Sequence, residues 1–260
     1  MDTAAVLDLL RDVAERVINP RFRDLSEGQV MEKNPGDLVT VADHEAEELI
    51  TEALHTAYPD AVILGEEAHD ADPALMDRYL VAEHAFTVDP VDGTKNFVHG
   101  SPDHAVMVAE VREGRTVRSW IWQPQHRIGY AAELGHGLRR EGVLLRREAA
   151  RAAEPGSLDV RTSHRPWVGA TPGPLRPLEL TWVCCGVDYP SLIQGLADAV
   201  LYTRTKPWDH APGSLMTTEA GGFVGTFDGT AYAPQGSTRG LVVAADRATY
   251  DVVQRAVRSL

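Results

Sequence analysis

Val6, Leu9, Leu10, Val13 and Val17 recur at helical spacing, which predicts a helix over residues 3–18 that ends near Pro20. A polar segment runs on to Asp37. DLVTVADHEAEELITEALHTAYP then reads as a short strand feeding a helix, with Asp43 as N-cap and Ala46, Leu49, Ile50, Ala53 and Leu54 as its buried stripe. Pro59 closes it. AVILGEE is a short buried strand running into a turn, and FTVDP is a second strand, stopped by its own proline. From Asp103 to Leu145 the segments HAVMVAEV, TVRSWIWQ and RIGYAAEL predict antiparallel strands.

A seam is expected at about residues 146–157, around REAARAAEPG. Beyond it, LDVRTS, LTWVCC and DAVLYT read as strands, with YPSLIQGLA as a short helix between the last two. WDHAPGSLMTTEAGG has proline in the first turn and glycine after the last, as a helix should. GLVVAA is a strand, and DRATYDVVQRAVRSL a closing helix capped by Asp246. Such mixed order predicts an α+β fold of stacked helix and sheet layers. The chain is expected to form one domain, 1–260, in two halves at about 1–150 and 151–260.

Composition changes the picture in one respect. The formal net charge of −13 argues against binding nucleic acid or an anionic membrane, since both are held by Lys and Arg. An anionic small substrate remains compatible, because a bound divalent cation inverts the local sign. The only cysteines, Cys184 and Cys185, are adjacent and are expected to be reduced thiols. The N-terminal segment carries acids through its apolar stripe, unlike a signal peptide, and no apolar run is long enough to span a membrane. A cytoplasmic protein is expected.

Acidic residues collect where strands end and helices begin: Glu66 and Glu67 after AVILG, Asp89 and Asp92 after FTV, Asp43 after VTVA, and Asp209 after KPW. Asp43 and Asp209 could each be a plain N-cap, and Glu66–Glu67 a solvated turn. DPVDGT is harder to read that way. Two carboxylates that close repel unless a cation lies between them. Competing motifs fail: HEAEE lacks the second histidine of a zinc HExxH helix, and GxSxG, P-loop and GxGxxG patterns are missing.

Taken together, GEE at 65–67, DPVDGTKNF at 89–97, WD at 208–209 and DLVTVAD at 37–43 resemble the signature of the inositol monophosphatase family. The resemblance implies the layered αβαβα sandwich shared with fructose-1,6-bisphosphatase, with the active site between the halves. It implies Glu66, Asp89, Asp92 and Asp209 as metal carboxylates and the Val91 carbonyl as a further ligand. Two or three Mg2+ ions are then expected, with Mn2+ as the alternative, an oxygen-only set being what such ions prefer. Gly93 and Thr94 would offer backbone N–H groups to the phosphate. Thr94, hydrogen-bonded to Asp43, would orient a metal-activated water and help take its proton. Lys33 would approach a third metal or the phosphate. The family also implies a homodimer and lithium sensitivity.

The substrate side departs from the family pattern. Inositol-specific members carry an acidic residue shortly before the WD tryptophan, where this chain has Tyr202, Thr203 and Arg204, so no carboxylate is expected there for sugar hydroxyls. The loop CCGVDYPSL is about three residues shorter than the family's, and Asp188 could face the pocket or the surface. Arg204 and Lys206 could welcome an anionic or hydroxyl-rich leaving group or form a surface pair. His210 is expected to be structural, Trp208 and Pro207 to pack the helix start, and Lys95 to be solvated. The expected activity is hydrolysis of a small phosphorylated alcohol resembling inositol monophosphate. Histidinol phosphate and sugar phosphates are alternative substrates, and a non-catalytic binding protein is the alternative of another class.

Overall fold

In the computed structural model, residues 1–26, 28–34, 37–150, 154–236, 239–258 and 260 are described. Helix α1 (Thr3–Val13) begins on Asp2, whose side chain accepts from Ala5 N, and continues through a wider turn to Ile18. A two-stranded ribbon, β1 (Val30–Asn34) and β2 (Asp37–Thr40), leads into α2 (Val41–Ala57). There follow β3 (Val62–Gly65), α3 (Glu66–Ala71), α4 (Ala74–Leu80), β4 (His84–Asp92) and the short α5 (Thr94–Val98). An antiparallel run comes next: β5 (Ala105–Arg112), β6 (Arg115–Gln123), β7 (Ile128–Glu133), β8 (Gly137–Arg140) and β9 (Val143–Leu145). The last third holds β10 (Val160–Thr162), β11 (Glu179–Leu180), α6 (Cys185–Ile193), β12 (Ala199–Tyr202), α7 (Pro207–Glu219), β13 (Phe223–Thr226), β14 (Leu241–Ala244) and α8 (Arg247–Val257).

A seven-stranded sheet orders β3 to β9 consecutively, and a five-stranded sheet runs β11-β10-β12-β14-β13. Period-two alternation in β5 explains the layering. Val106 and Val108 face α1 and α2, in a core with Leu10, Ile50, Phe86 and Trp120. Ala105 and Met107 face the other way, into a core with Leu192 of α6, Met216 of α7 and Val200 and Val243 of the five-stranded sheet. The far face of that sheet, Leu201 and Val242 included, packs on α8 through Tyr250 and Val253. The order is therefore helices, sheet, helices, sheet, helix. A strand buried on both faces reads as a continuous apolar run, as HAVMVAEV does.

Several sequence expectations need correction. Thr40, not Asp43, is the N-cap of α2; Asp43 is the third helical residue and returns a hydrogen bond to the Thr40 N–H, completing a capping box. β4 is not stopped by Pro90 but runs on to Asp92 through a register shift between Asp89 and Asp92. The proline is tolerated there because the pairing of β4 with β3 ends at Val88, leaving one side open. LTWVCC is not a strand: only Glu179–Leu180 pair, and Cys184 is the N-cap of α6, which begins earlier than YPSLIQGLA suggested. Both cysteines are free. Residues 151–153 of the expected seam lie outside the described residues. Among the described residues, no helix is long and apolar enough to cross a membrane.

Candidate active site

The register of two parallel strands brings the first acids together. β3 and β4 run side by side with Gly65 opposite Val88, so Glu66, just past the end of β3, comes beside Asp89, where β4 loses that partner and continues to Asp92. Asp89 is 2% exposed, and one carboxylate oxygen, Oδ1, is buried with no hydrogen-bond partner among the described residues. Burial first, then Glu66, Asp92 and Asp209, push its carboxyl well above the usual carboxylate range. Glu66 is raised in the same way, by burial and then by Asp209. Asp209, in the first turn of α7, lies within hydrogen-bonding reach of Asp89 and is pushed up to about 8 by burial and then by Asp92. The N-cap of α7 is Lys206, so Asp209 is the third helical residue and not the cap.

Asp92 is held differently. Its Oδ2 accepts from the Gly186 N–H at 2.6 Å and the Cys184 thiol at 2.9 Å, at the start of α6. Burial raises its carboxyl, and these donors, with the Gly93 and Cys185 N–H groups, oppose the rise. Gly93 adopts φ 81, and a Cβ there would come within 3.0 Å of Cys184 Cβ and 3.1 Å of the Asp103 carbonyl. Glycine is required there by that close packing and by the left-handed turn.

Thr94 Oγ1 lies 3.2 Å from Asp43 Oδ1 and 3.0 Å from the Val91 carbonyl. The other Asp43 oxygen accepts from the Thr40 hydroxyl at 2.6 Å. Burial pushes Asp43 up to about 6 against the pull of these hydrogen bonds. The expected Thr94–Asp43 pair is therefore present, beside the Val91 carbonyl.

A residue that sequence reasoning missed supports this corner. Glu47, one turn after Asp43 on α2, is buried, and its two oxygens accept the Glu67 and Ala68 N–H groups at 2.8 and 2.7 Å. It satisfies the N-terminus of α3 from outside the helix and so fixes the turn that carries Glu66. A Cβ on Gly65 would lie 2.3 Å from the Glu47 carboxyl carbon, which is why the strand ends in glycine. The i, i+4 spacing of Asp43 and Glu47 is the one sequence signal that could have pointed to it.

Lys33 lies in the acidic cluster, 2.7 Å from Glu67, 2.8 Å from Asp70 and 3.5 Å from Glu66. Burial opposes its charge, but Glu66, Asp70 and Glu67 together hold its pKa above the usual value. Lys95 is exposed, as expected. Trp208 is buried against Leu64, Tyr79, Ala85 and Val111, with Lys206 over its ring. His210 Nε2 meets the Arg204 carbonyl at 2.8 Å and Nδ1 meets the Tyr189 hydroxyl at 3.0 Å. Burial lowers its pKa to about 4, so the ring is neutral, donates to the carbonyl from Nε2 and accepts from tyrosine at Nδ1. Cys185, Asp209 and His210 approach within 4.8 Å of one another, yet both His210 nitrogens are engaged, so the trio is not a free ligand set.

A cavity of about 390 Å³ opens beside Asp92 and Asp209. Asp188 lines it and is 1% exposed, accepting from the Trp182 N–H at 2.8 Å and the Tyr202 hydroxyl at 3.2 Å. Burial first, then Asp92, push Asp188 up to about 8. Of the two placements open to Asp188, the cavity is the one it takes, on α6 beside Tyr202. Ser163, His164 and Arg165 also line the cavity and were missed, because β10 reaches it only through the parallel pairing with β12.

The buried Oδ1 of Asp89, without a partner among the described residues, and the carboxylates of Glu66, Asp92 and Asp209 near it suit a hard divalent cation, which would relieve the repulsion among them. The profile of the inositol monophosphatase family matches residues 2–260. The inositol-1-monophosphatase of Rhizobium meliloti is 30% identical over 237 residues, covering 86% of each chain. The Nus factor SuhB of Pseudomonas aeruginosa is 31% identical over 216 residues, covering 77% of this chain and 76% of its own. Among solved structures, the Thermotoga maritima IMPase superposes with a TM-score of 0.79 at 24% identity, covering 98% of this chain and 96% of its own.

Proposed function

Because the chain belongs to the inositol monophosphatase family, we propose that it is a Mg2+-dependent phosphomonoesterase acting on a small phosphorylated alcohol. The observation that carries this reading is Asp89, buried and unpartnered at Oδ1 among Glu66, Asp92 and Asp209. A buried cluster of four acids is costly to the fold unless a cation neutralises it. In this reading Glu66, Asp89, Asp92, Asp209 and the Val91 carbonyl hold the metal. When bound, Mg2+ supplies charge neutralisation of the phosphoryl oxygens and activation of the attacking water.

The chain's own groups do the rest. Thr94 Oγ1, donating to Asp43 Oδ1, keeps a lone pair free to orient the water and receive its proton. Ionised Asp43 accepts the threonine proton, its geometry fixed by the Thr40 hydroxyl. The donors that hold Asp92 (the Gly186 N–H and the Cys184 thiol) and Asp188 (the Trp182 N–H and the Tyr202 hydroxyl) stop these carboxylates from turning away. No covalent nucleophile is required, since phosphoryl transfer is governed by positioning and charge. Asp188 and Tyr202 receive the leaving group in the cavity, with Arg204 at its edge.

The binding-protein alternative draws support from relatives named Nus factor SuhB. The retained carboxylates and the intact Thr94–Asp43 pair favour catalysis, because partner binding would require neither. The family also supports a homodimer, which light scattering in solution would check. Phosphate release from a panel of phosphomonoesters, with and without Mg2+, tests the proposal. Mg2+-dependent release from at least one small ester is expected; silence across inositol, sugar and histidinol phosphates would favour the binding protein.

A further inference from the structure

The cavity is polar in an ordered way. Its inner wall is acidic, with Asp92, Asp188 and Asp209, and its outer lip is basic. Arg165, in the turn after β10, and Arg204, in the loop after β12, both line it and both are exposed. Neither guanidinium is held in an ion pair among the described residues. Their neighbours behave differently: Arg161 is paired with Asp159 and Glu179, and Arg176 with the same two acids. His164 adds a third nitrogen-bearing side chain to the lip, its ring edge-on to Trp167.

In a chain with a formal net charge of −13, two exposed arginines lining one cavity with no ion pair among the described residues are a specific arrangement. In the phosphatase reading the phosphate that is hydrolysed is neutralised by the cation held at the acidic wall, so two further guanidinium groups exceed what that phosphate needs. Nor does a neutral polyol call for them, since Asp188 and the Tyr202 hydroxyl already supply buried polar groups at the base. Guanidinium matches carboxylate and phosphate oxygens through paired N–H donors.

We propose that the leaving alcohol carries a second anionic group, carboxylate or phosphate, which Arg165 and Arg204 bind at the mouth of the cavity while the scissile phosphate faces Asp89. The assignment rests on the phosphatase reading for the orientation of the substrate. It makes the two arginines specificity-determining residues and places the natural substrate among doubly anionic phosphomonoesters.

The test uses three-carbon phosphomonoesters that differ only at the far end: hydroxyl, carboxylate or a second phosphate. Binding of each to the intact protein is measured by calorimetry with Ca2+ as the cation, and phosphate release is measured separately with Mg2+. The native protein should bind at least one doubly anionic ester about tenfold or more tightly than the hydroxyl ester, and which one it prefers identifies the anion. Arg165→Gln and Arg204→Gln should each reduce that ratio severalfold, and Arg204→Lys should restore part of it. Equal affinities in the native protein, or an unchanged ratio in both glutamine variants, would overturn the proposal. Lack of Mg2+-dependent release from every ester would overturn the phosphatase reading instead, and the affinity ratio would still decide this one.

Discussion

Asp89 shows how one side chain can be a liability without its ligand. Its carboxyl is buried beside Glu66, Asp92 and Asp209, so in cation-free protein it must either hold a proton or bear the repulsion. Asp89→Asn removes that choice. The variant should melt higher than the native protein in chelator, and should lose the upward Tm shift that Mg2+ gives the native protein. Differential scanning calorimetry with and without Mg2+ reads both effects, and an undiminished Mg2+ shift in the variant would remove Asp89 from the metal site. Val183 is a second residue under constraint: it is β-branched yet adopts φ 61, on the cavity wall. Such conformations cost about 1–3 kcal/mol, part of which glycine's own entropy takes back. Val183→Gly should therefore raise Tm by roughly 2–4 °C, and a fall would show that the valine side chain contributes more than its backbone costs.

At the level of elements, the site is assembled from ends. β3 and β4 deliver Glu66 and Asp89, the start of α6 holds Asp92, the first turn of α7 presents Asp209, and the first turn of α2 brings Asp43 to Thr94. Glu47 ties two of these elements, and its titration reports on the link. Burial, the larger cause, and then Glu67 raise its carboxyl from the usual 4.5 to about 7, against the two N–H groups it accepts. A raised folded pKa means that its stabilising contribution is complete below about pH 4.5 and lost as pH rises through about 7. Glu47→Gln carries no such charge. The stability of the glutamine variant relative to native should therefore improve steadily across that window in urea melts, and a pH-independent difference would contradict the assignment.

This is also the level at which the sequence could and could not be read. DPVDGT announced itself because proline and glycine fix the backbone around two acids, and the stripes of α1, α2 and α8 follow from 3.6-residue periodicity alone. The Cys184 thiol on Asp92, the Glu47 clasp and the Arg165 lip all depend on segments far apart in sequence that only tertiary packing brings together. Pro90 misled for a related reason: whether a proline ends a strand depends on which neighbour remains to be paired, and that is a property of the sheet.

For the whole molecule, five layers bury both faces of both sheets and leave the functional groups at strand and helix ends beside α6 and α7. The negative charge is not evenly spread in its effects. Buried acids gather where a cation would neutralise them, and the exposed Arg165 and Arg204 line the cavity beside them. A molecule so arranged should be inert towards phosphomonoesters until a divalent ion arrives. The most direct measurement is phosphate release during a Mg2+ titration, run on the native protein and on Asp89→Asn with the ester that the panel selects. Saturable dependence on Mg2+ in the native protein, with loss of about a thousandfold or more in the variant, is the result expected when a metal site supplies most of the catalysis. Release that proceeds in chelator, or that survives the substitution, would contradict the account at its centre.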